Sequence, residues 1–346
     1  MNRVLVANLD YEFGLQPKPR KLPKQLSRRL GKTATVLRVF SPDVLVVPFP
    51  FNQNWIVPQD GLMMPNVRQL KSVSTDDDQV MYWAQEEEPS LESFSHNFSN
   101  SYSETAWHCP RTSVANARKA NDKVFCHELQ RKLGTQLPKS KIILHQDQLQ
   151  ELGEYPSWVL KSRYGVAGRN RVLGRFKITE QQEVAIQKLL QESEALILEP
   201  WLQRTQDYGV TGFLSPDRVW HTRVHTLKVD GRGTFCGIDT DQDAIDSAIT
   251  EELTKAFHQV GEILLQEDYV GPFGIDAFTY QGENGDTHIH PVTEINARMT
   301  FGHVAQAYSD AFERPVELNF GHHPAPENAV LITAPDEIDP SMCWLV

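Results

Sequence analysis

Two apolar stretches joined by a polar turn constrain this chain more than any other feature. They are "GPFGIDAFTY", then "QGENGD", then a run that ends "HPVTEINARMTFGH" (290–303). Both apolar stretches fit β-strands, and the Gly-rich turn between them reads as a hairpin. Strand alternation places Val292, Glu294 and Asn296 on one face, with Arg298 following in the same phase. Asp276 lies on the expected partner strand. An exposed polar face is the plain account of this pattern. The alternative is an inward-facing set of hard oxygen ligands, and a buried cluster of that kind is costly without a cation.

The remainder of the chain alternates strand and helix patterns. "RVLVAN" and "SPDVLVVPFP" read as short buried strands, with basic and polar stretches of helical character between and after them. This predicts a small α/β domain over 1–105. Its tail, the Ser- and Asn-rich stretch 85–104, reads as a loop or linker. From Thr112, "TSVANARKANDKVFCHELQRKLG" reads as helical, with Val124, Phe125, Leu129 and Leu133 on one face and Gly134 as C-cap. "KIILH", "SWVLKS", "ALILEPW" and "RVWHTRVHTLKV" read as strands. Thr179 and Gln182 have capping-box spacing at the start of an amphipathic helix. A second helix, "TEELTKAFHQVGEILLQ", carries a stripe of Leu253, Ala256, Phe257, Val260 and Leu264. At 346 residues the chain has room for two or three domains.

Two further stretches can carry chemistry. "VLKSRYGVAGRNRVLG" delivers Lys161 at a strand end, then Gly165, Gly168 and Arg169 in a loop. Glycines let backbone N–H groups approach phosphate oxygens, and the cations supply charge beside them. The spacing is neither Walker A nor a dinucleotide fingerprint, and a hairpin turn with exposed basic residues accounts for it equally well. "LILEPWLQRTQDYGV" ends an apolar strand at Glu199, Trp201 and Leu202, with Asp207 downstream. Such a segment can read an adenine edge and bind ribose hydroxyls, although a strand entering a surface turn is the plainer account.

The order of these sets resembles the ATP-grasp superfamily over roughly 115–305, through Lys123 in "NDKVF", Lys161, "GVAGRN", "LEPWL" with Asp207, "GIDAF" and "TEINAR". The resemblance implies an α/β chain, α+β in its C-terminal half. It would be an ATP-grasp fold (106–346, with a lid at about 140–205 and a metal and nucleotide subdomain at about 206–346) preceded by a small Rossmann-like N-terminal domain. It further implies that Lys123 and Lys161 contact nucleotide phosphates, with the Gly165–Gly168 loop and Arg169 as part of a lid over ATP. Glu199, Trp201 and Leu202 would frame the adenine, and Asp207 would bind ribose. Asp276, Glu294 and Asn296 would ligate Mg²⁺ (or Mn²⁺), with Arg298 at the transferred phosphate. The D-alanine–D-alanine ligase branch has an arginine just before its metal aspartate, where this chain has Gly274-Ile275. Either the oxyanion role passes to Arg298 or Arg223, or the substrate differs.

The function expected from this resemblance is ATP-dependent ligation of a small-molecule carboxylate to an amine, releasing ADP. A small-molecule kinase and a nucleotide-binding regulator are the alternatives. Net charge is −11 with no dense Lys/Arg run, which argues against nucleic acid as a partner. The opening apolar run is too short for a signal-peptide core, and no stretch is long enough to span a bilayer. Four scattered cysteines read as reduced thiols, so the expected setting is cytoplasmic, with homo-oligomerisation left open. His288 and His290 alternate, and His322-His323 follow later, but neither pair completes a zinc set; Asp10 and Glu12 could attract a substrate amine or simply cap a helix.

Overall fold

A computed structural model describes residues 2–16, 21–59, 61–69, 79–86, 101–149, 155–165, 170–230, 234–322 and 325–346. Three sheets organise it. The first is all-parallel, in the order β3-β2-β1-β4, built from β1 (Arg3–Val6), β2 (Val44–Val46), β3 (Asn66–Arg68) and β4 (Gln79–Tyr82). The second is antiparallel, in the order β5-β8-β6-β7, from β5 (Lys141–Ile143), β6 (Trp158–Ser162), β7 (Arg171–Gly174) and β8 (Leu196–Pro200). The third has eight antiparallel strands in the order β13-β12-β9-β10-β11-β14-β16-β15. Its members are β9 (Arg204–Leu214), β10 (Val219–Val229), β11 (Phe235–Asp239), β12 (Gly271–Gln281), β13 (Thr287–Asn296), β14 (Glu317–Gly321), β15 (Val330–Thr333) and β16 (Met342–Leu345).

The described helices are α1 (Tyr11–Gly14), α2 (Lys24–Thr33), α3 (Tyr102–His108), α4 (Val114–Ala120), α5 (Lys123–Leu133), α6 (Glu180–Ser193), α7 (Ser247–Gln266) and α8 (Phe301–Phe312). In α7 the expected stripe is the buried face, and it packs on the large sheet. Phe257 stacks on Phe273 of β12, with centroids 4.1 Å apart. Gly261 permits this approach, since a Cβ there would lie 2.6 Å from the Val219 side chain. Asp246 caps the helix by accepting from the Ala248 amide at 2.8 Å. The Thr179–Gln182 capping box opens α6, which covers the second sheet.

Two expectations change. The segment from Thr112 is two helices, because Asp122 caps α5 by accepting from the Val124 amide at 2.9 Å. Asn121 at the break bonds both the N–H and the C=O of Ala297, which ties the junction to the end of β13. Of the stretch read as a linker, 87–100 lies outside the described residues. Its last residues instead enter α3, with the Ser101 hydroxyl accepting from the Glu104 amide.

One core cluster runs from the parallel sheet through α3 and α8 into the far half of the large sheet. A second lies between the large sheet and α4, α5 and α7. Helix α5 also touches β8 and β13, so its first turn stands where the two antiparallel sheets meet. No helix among the described residues is long and apolar enough to cross a membrane.

Candidate active site

The hairpin forms as expected, with β12 and β13 antiparallel and Asp276 directly opposite Glu294. Directly opposed residues share a face, so the two carboxylates stand side by side. Beyond them the register shifts between Asp276 and Phe278, and this bulge buries both Val292 and Ile295, which strict alternation would separate. Asn296 bonds the Asp276 carboxyl and is itself buried.

Cations flank the pair on both sides. The Lys123 ammonium, at the first turn of α5, lies 2.6 Å from Glu294 Oε1 and 3.3 Å from the Gly165 carbonyl. The break before α5 sets this position, since Lys123 N–H also donates to the Arg163 carbonyl and Arg163 pairs with Asp122 at 2.7 Å. Arg298 donates to Asn296 Oδ1 at 3.0 Å and to Glu12 Oε1 at 2.9 Å from Nε and 2.5 Å from Nη2. Glu12 comes from α1, just past the carboxyl end of β1, while Met299 N–H donates to the carbonyl of Trp83, just past β4. The carboxyl edge of a parallel sheet, where α/β proteins open their crevices, thus faces the hairpin.

Burial pushes the Asp276 carboxyl up to about 7, and the Glu294 charge adds to the rise. Burial disfavours the Lys123 ammonium, but Glu294 outweighs it and raises that pKa. Asp276, Glu294 and Asn296 offer hard oxygen donors, and a divalent cation held by them would let the Asp276 carboxyl ionise. The set therefore fits Mg²⁺ better than a soft metal. Among the described residues no three His, Cys, Asp or Glu side chains group to hold a metal, so other ligands would have to come from phosphate oxygens and water.

A second group lies at the seam between the two antiparallel sheets. Lys161 on β6 pairs with buried Glu199 on β8 at 2.5 Å. Burial raises the Glu199 pKa, yet the Lys161 charge and hydrogen bond outweigh this and hold it low. Trp201 and Leu202 lie in the short connection from β8 to β9. Arg204 pairs with Asp207 at 2.6 Å and lies over the rings of Trp201 (5.5 Å) and Phe278 (4.1 Å). His290 is buried against Phe278, its Nε2 has no partner among the described residues, and burial lowers its pKa to about 4, so it stands neutral beside this group.

The structure thus brings together Lys123, Asp276, Glu294, Asn296 and Arg298 in one group, and Lys161, Glu199, Trp201, Leu202 and Asp207 near the second. Gly165 stands beside Lys123, while Gly168 and Arg169 lie outside the described residues. Arg223 stands apart. It is exposed on β10, three strands from Asn296 along the row Asn296–Gly274–Thr211–Arg223, and it donates to the Thr222 carbonyl. The partnership of Glu12 with Arg298 and the positions of Arg204 and His290 had no local sequence signal.

No protein-family profile matches the chain, and no curated protein matches it. Solved structures do resemble it. It is similar to biotin carboxylase from Campylobacter jejuni, solved as a beta-gamma-ATP complex. The TM-score is 0.53 at 12% identity, over 99% of this chain and 86% of that one. It is also similar to the ADP complex of N5-carboxyaminoimidazole ribonucleotide synthetase, with a TM-score of 0.50 at 14% identity over 92% and 80% of the two chains. The chain has the ATP-grasp fold.

Proposed function

We propose that this protein is an ATP- and Mg²⁺-dependent ligase that activates a small-molecule carboxylate as an acyl phosphate for attack by an amine. One observation carries the reading: Asp276 and Glu294 face each other across the β12–β13 pair with Lys123 on one side and Arg298 on the other. The solved neighbours in complex with ADP and with beta-gamma-ATP add support for the nucleotide.

In this reading Asp276, Glu294 and Asn296 would hold Mg²⁺, which would supply charge neutralisation beside the phosphates. Lys123 and Lys161 leave their carboxylate partners to meet phosphate oxygens, and Trp201 and Leu202 frame the base beside Glu199. Asp207 takes the ribose. Arg298, held in direction by Glu12, grips the transferring phosphoryl group and the acyl oxygen together, as a guanidinium fork suits. A substrate carboxylate oxygen attacks the γ-phosphorus and ADP leaves. The amine nitrogen then attacks the acyl carbon, phosphate departs with the bridging oxygen, and the nitrogen gives up a proton. Four free cysteines, three of them buried, suit a cytoplasmic setting.

The test is a screen of small acids and amines for ADP release, with mass spectrometry of the product. Ligation requires both partners and releases phosphate in step with ADP. A phosphorylated small molecule formed without a second substrate would instead make the protein a kinase.

A further inference from the structure

A cavity of about 40 Å³ opens beside Arg298, between the end of β4 and the segments that lead into α4 and β12. A water needs roughly 10–15 Å³ on this scale, so the space holds about three waters or one carboxylate group. Tyr82, Trp83, Tyr269 and Met299 supply much of its wall, and no Asp or Glu lines it. Two arginines do line it, Arg298 and Arg111. Arg298 has Glu12. Arg111 stacks over the Tyr82 ring at 5.2 Å and, among the described residues, has neither a hydrogen-bond acceptor nor a carboxylate partner. It is partly buried, and burial lowers its pKa. Guanidinium groups in such surroundings are stabilised by a planar anion that accepts two hydrogen bonds.

We propose that Arg111 anchors a carboxylate that a substrate carries in addition to its reacting group. A dicarboxylic acid, or an amino acid on one side of the bond formed, meets this description. The assignment rests on the ligase reading, which places the reacting atoms at Arg298. The aromatic and apolar part of the wall lowers the local dielectric around the ion pair and so raises its worth. The small volume admits the charged end of a substrate and leaves its body toward the hairpin.

The test uses the full chain without nucleotide or metal, so that turnover is not needed. Thermal shift is measured with glutarate, L-glutamate and the neutral glutaramide on wild type, Arg111→Met and Arg111→Lys. The expected result is stabilisation of the wild type by at least one of the two anions and none by glutaramide. Affinity for that anion should fall about 10- to 100-fold in Arg111→Met and less in Arg111→Lys. Mg²⁺-ATP should shift all three proteins alike, which shows each variant folded with its nucleotide site intact. Without ligand, Arg111→Met should melt no lower than wild type, because the cation removed has no carboxylate partner among the described residues. Anion shifts that are equal in wild type and Arg111→Met, or absent from both, overturn the proposal. An Arg111-dependent anion shift with no response to Mg²⁺-ATP would keep the anion site and discard the ligase reading.

Discussion

Asp276→Asn should stabilise the empty protein at alkaline pH while abolishing its chemistry. The Asp276 carboxyl rises from 3.8 to about 7 through burial and the facing Glu294. Between those two pH values the unfolded chain has lost this proton and the folded chain keeps it, so folding takes up a proton. Stability therefore falls as pH rises through that window and is lowest above about 7. At about 1.4 kcal/mol per pH unit, the full cost is on the order of 4 kcal/mol. Asparagine is a neutral match for the protonated acid and never bears that cost. The urea midpoints of wild type and variant should be close at pH 4.5 and separate by the equivalent of about 3 kcal/mol at pH 8, with the variant ahead. Added Mg²⁺-ATP should stabilise the wild type and leave the variant unmoved. A gap that stays constant from pH 4.5 to pH 8 would refute the claim that burial and the facing Glu294 hold the Asp276 carboxyl protonated.

Glu294→Gln leaves the Lys123 ammonium without its carboxylate and should lower kcat by about 100-fold or more, read as acceptor-dependent ADP release; normal turnover would remove Glu294 from the site. Glu12→Gln frees Arg298 from its ion pair; kcat should drop about 10-fold with the KM for ATP unchanged, whereas a change confined to that KM would mean Glu12 serves the nucleotide. Phe257→Ala removes a fully buried ring stacked on Phe273 and should cost about 3–5 kcal/mol in denaturant unfolding; a loss under about 1 kcal/mol would show that α7 does not clamp the large sheet.

Local pattern carried much of this fold. The α7 stripe, the α6 capping box, the Gly134 C-cap and the β12–β13 hairpin were all legible because their causes lie within a few residues. Strand β9, the bridge between β12 and β10, was not, since Gln206, Asp207, Gly209 and Gly212 give its sequence a turn-like look. The structure explains both glycines. A Cβ at Gly209 would lie 2.3 Å from His225, and one at Gly212 would lie 2.8 Å from the Trp220 carbonyl. The helix break at Asn121–Asp122 depends on bonds to Ala297 and Arg163, distant in sequence. The Glu12–Arg298 pair spans 286 positions, and Arg111 matters only because a cavity joins it to Arg298. Motif order brought Lys123, Asp276, Glu294 and Asn296 into view, while the substrate side of the site is assembled from segments that no periodicity links.

The central claim, passage through an acyl phosphate, is tested most directly by following oxygen. Once the screen has found the acid, its carboxylate is labelled with oxygen-18 and one turnover is run with ATP, Mg²⁺ and the amine. The account predicts that the released phosphate carries one labelled oxygen, transferred when the carboxylate attacks the γ-phosphorus and kept when the amine displaces phosphate. Phosphate free of label, with both labelled oxygens retained elsewhere, would contradict it.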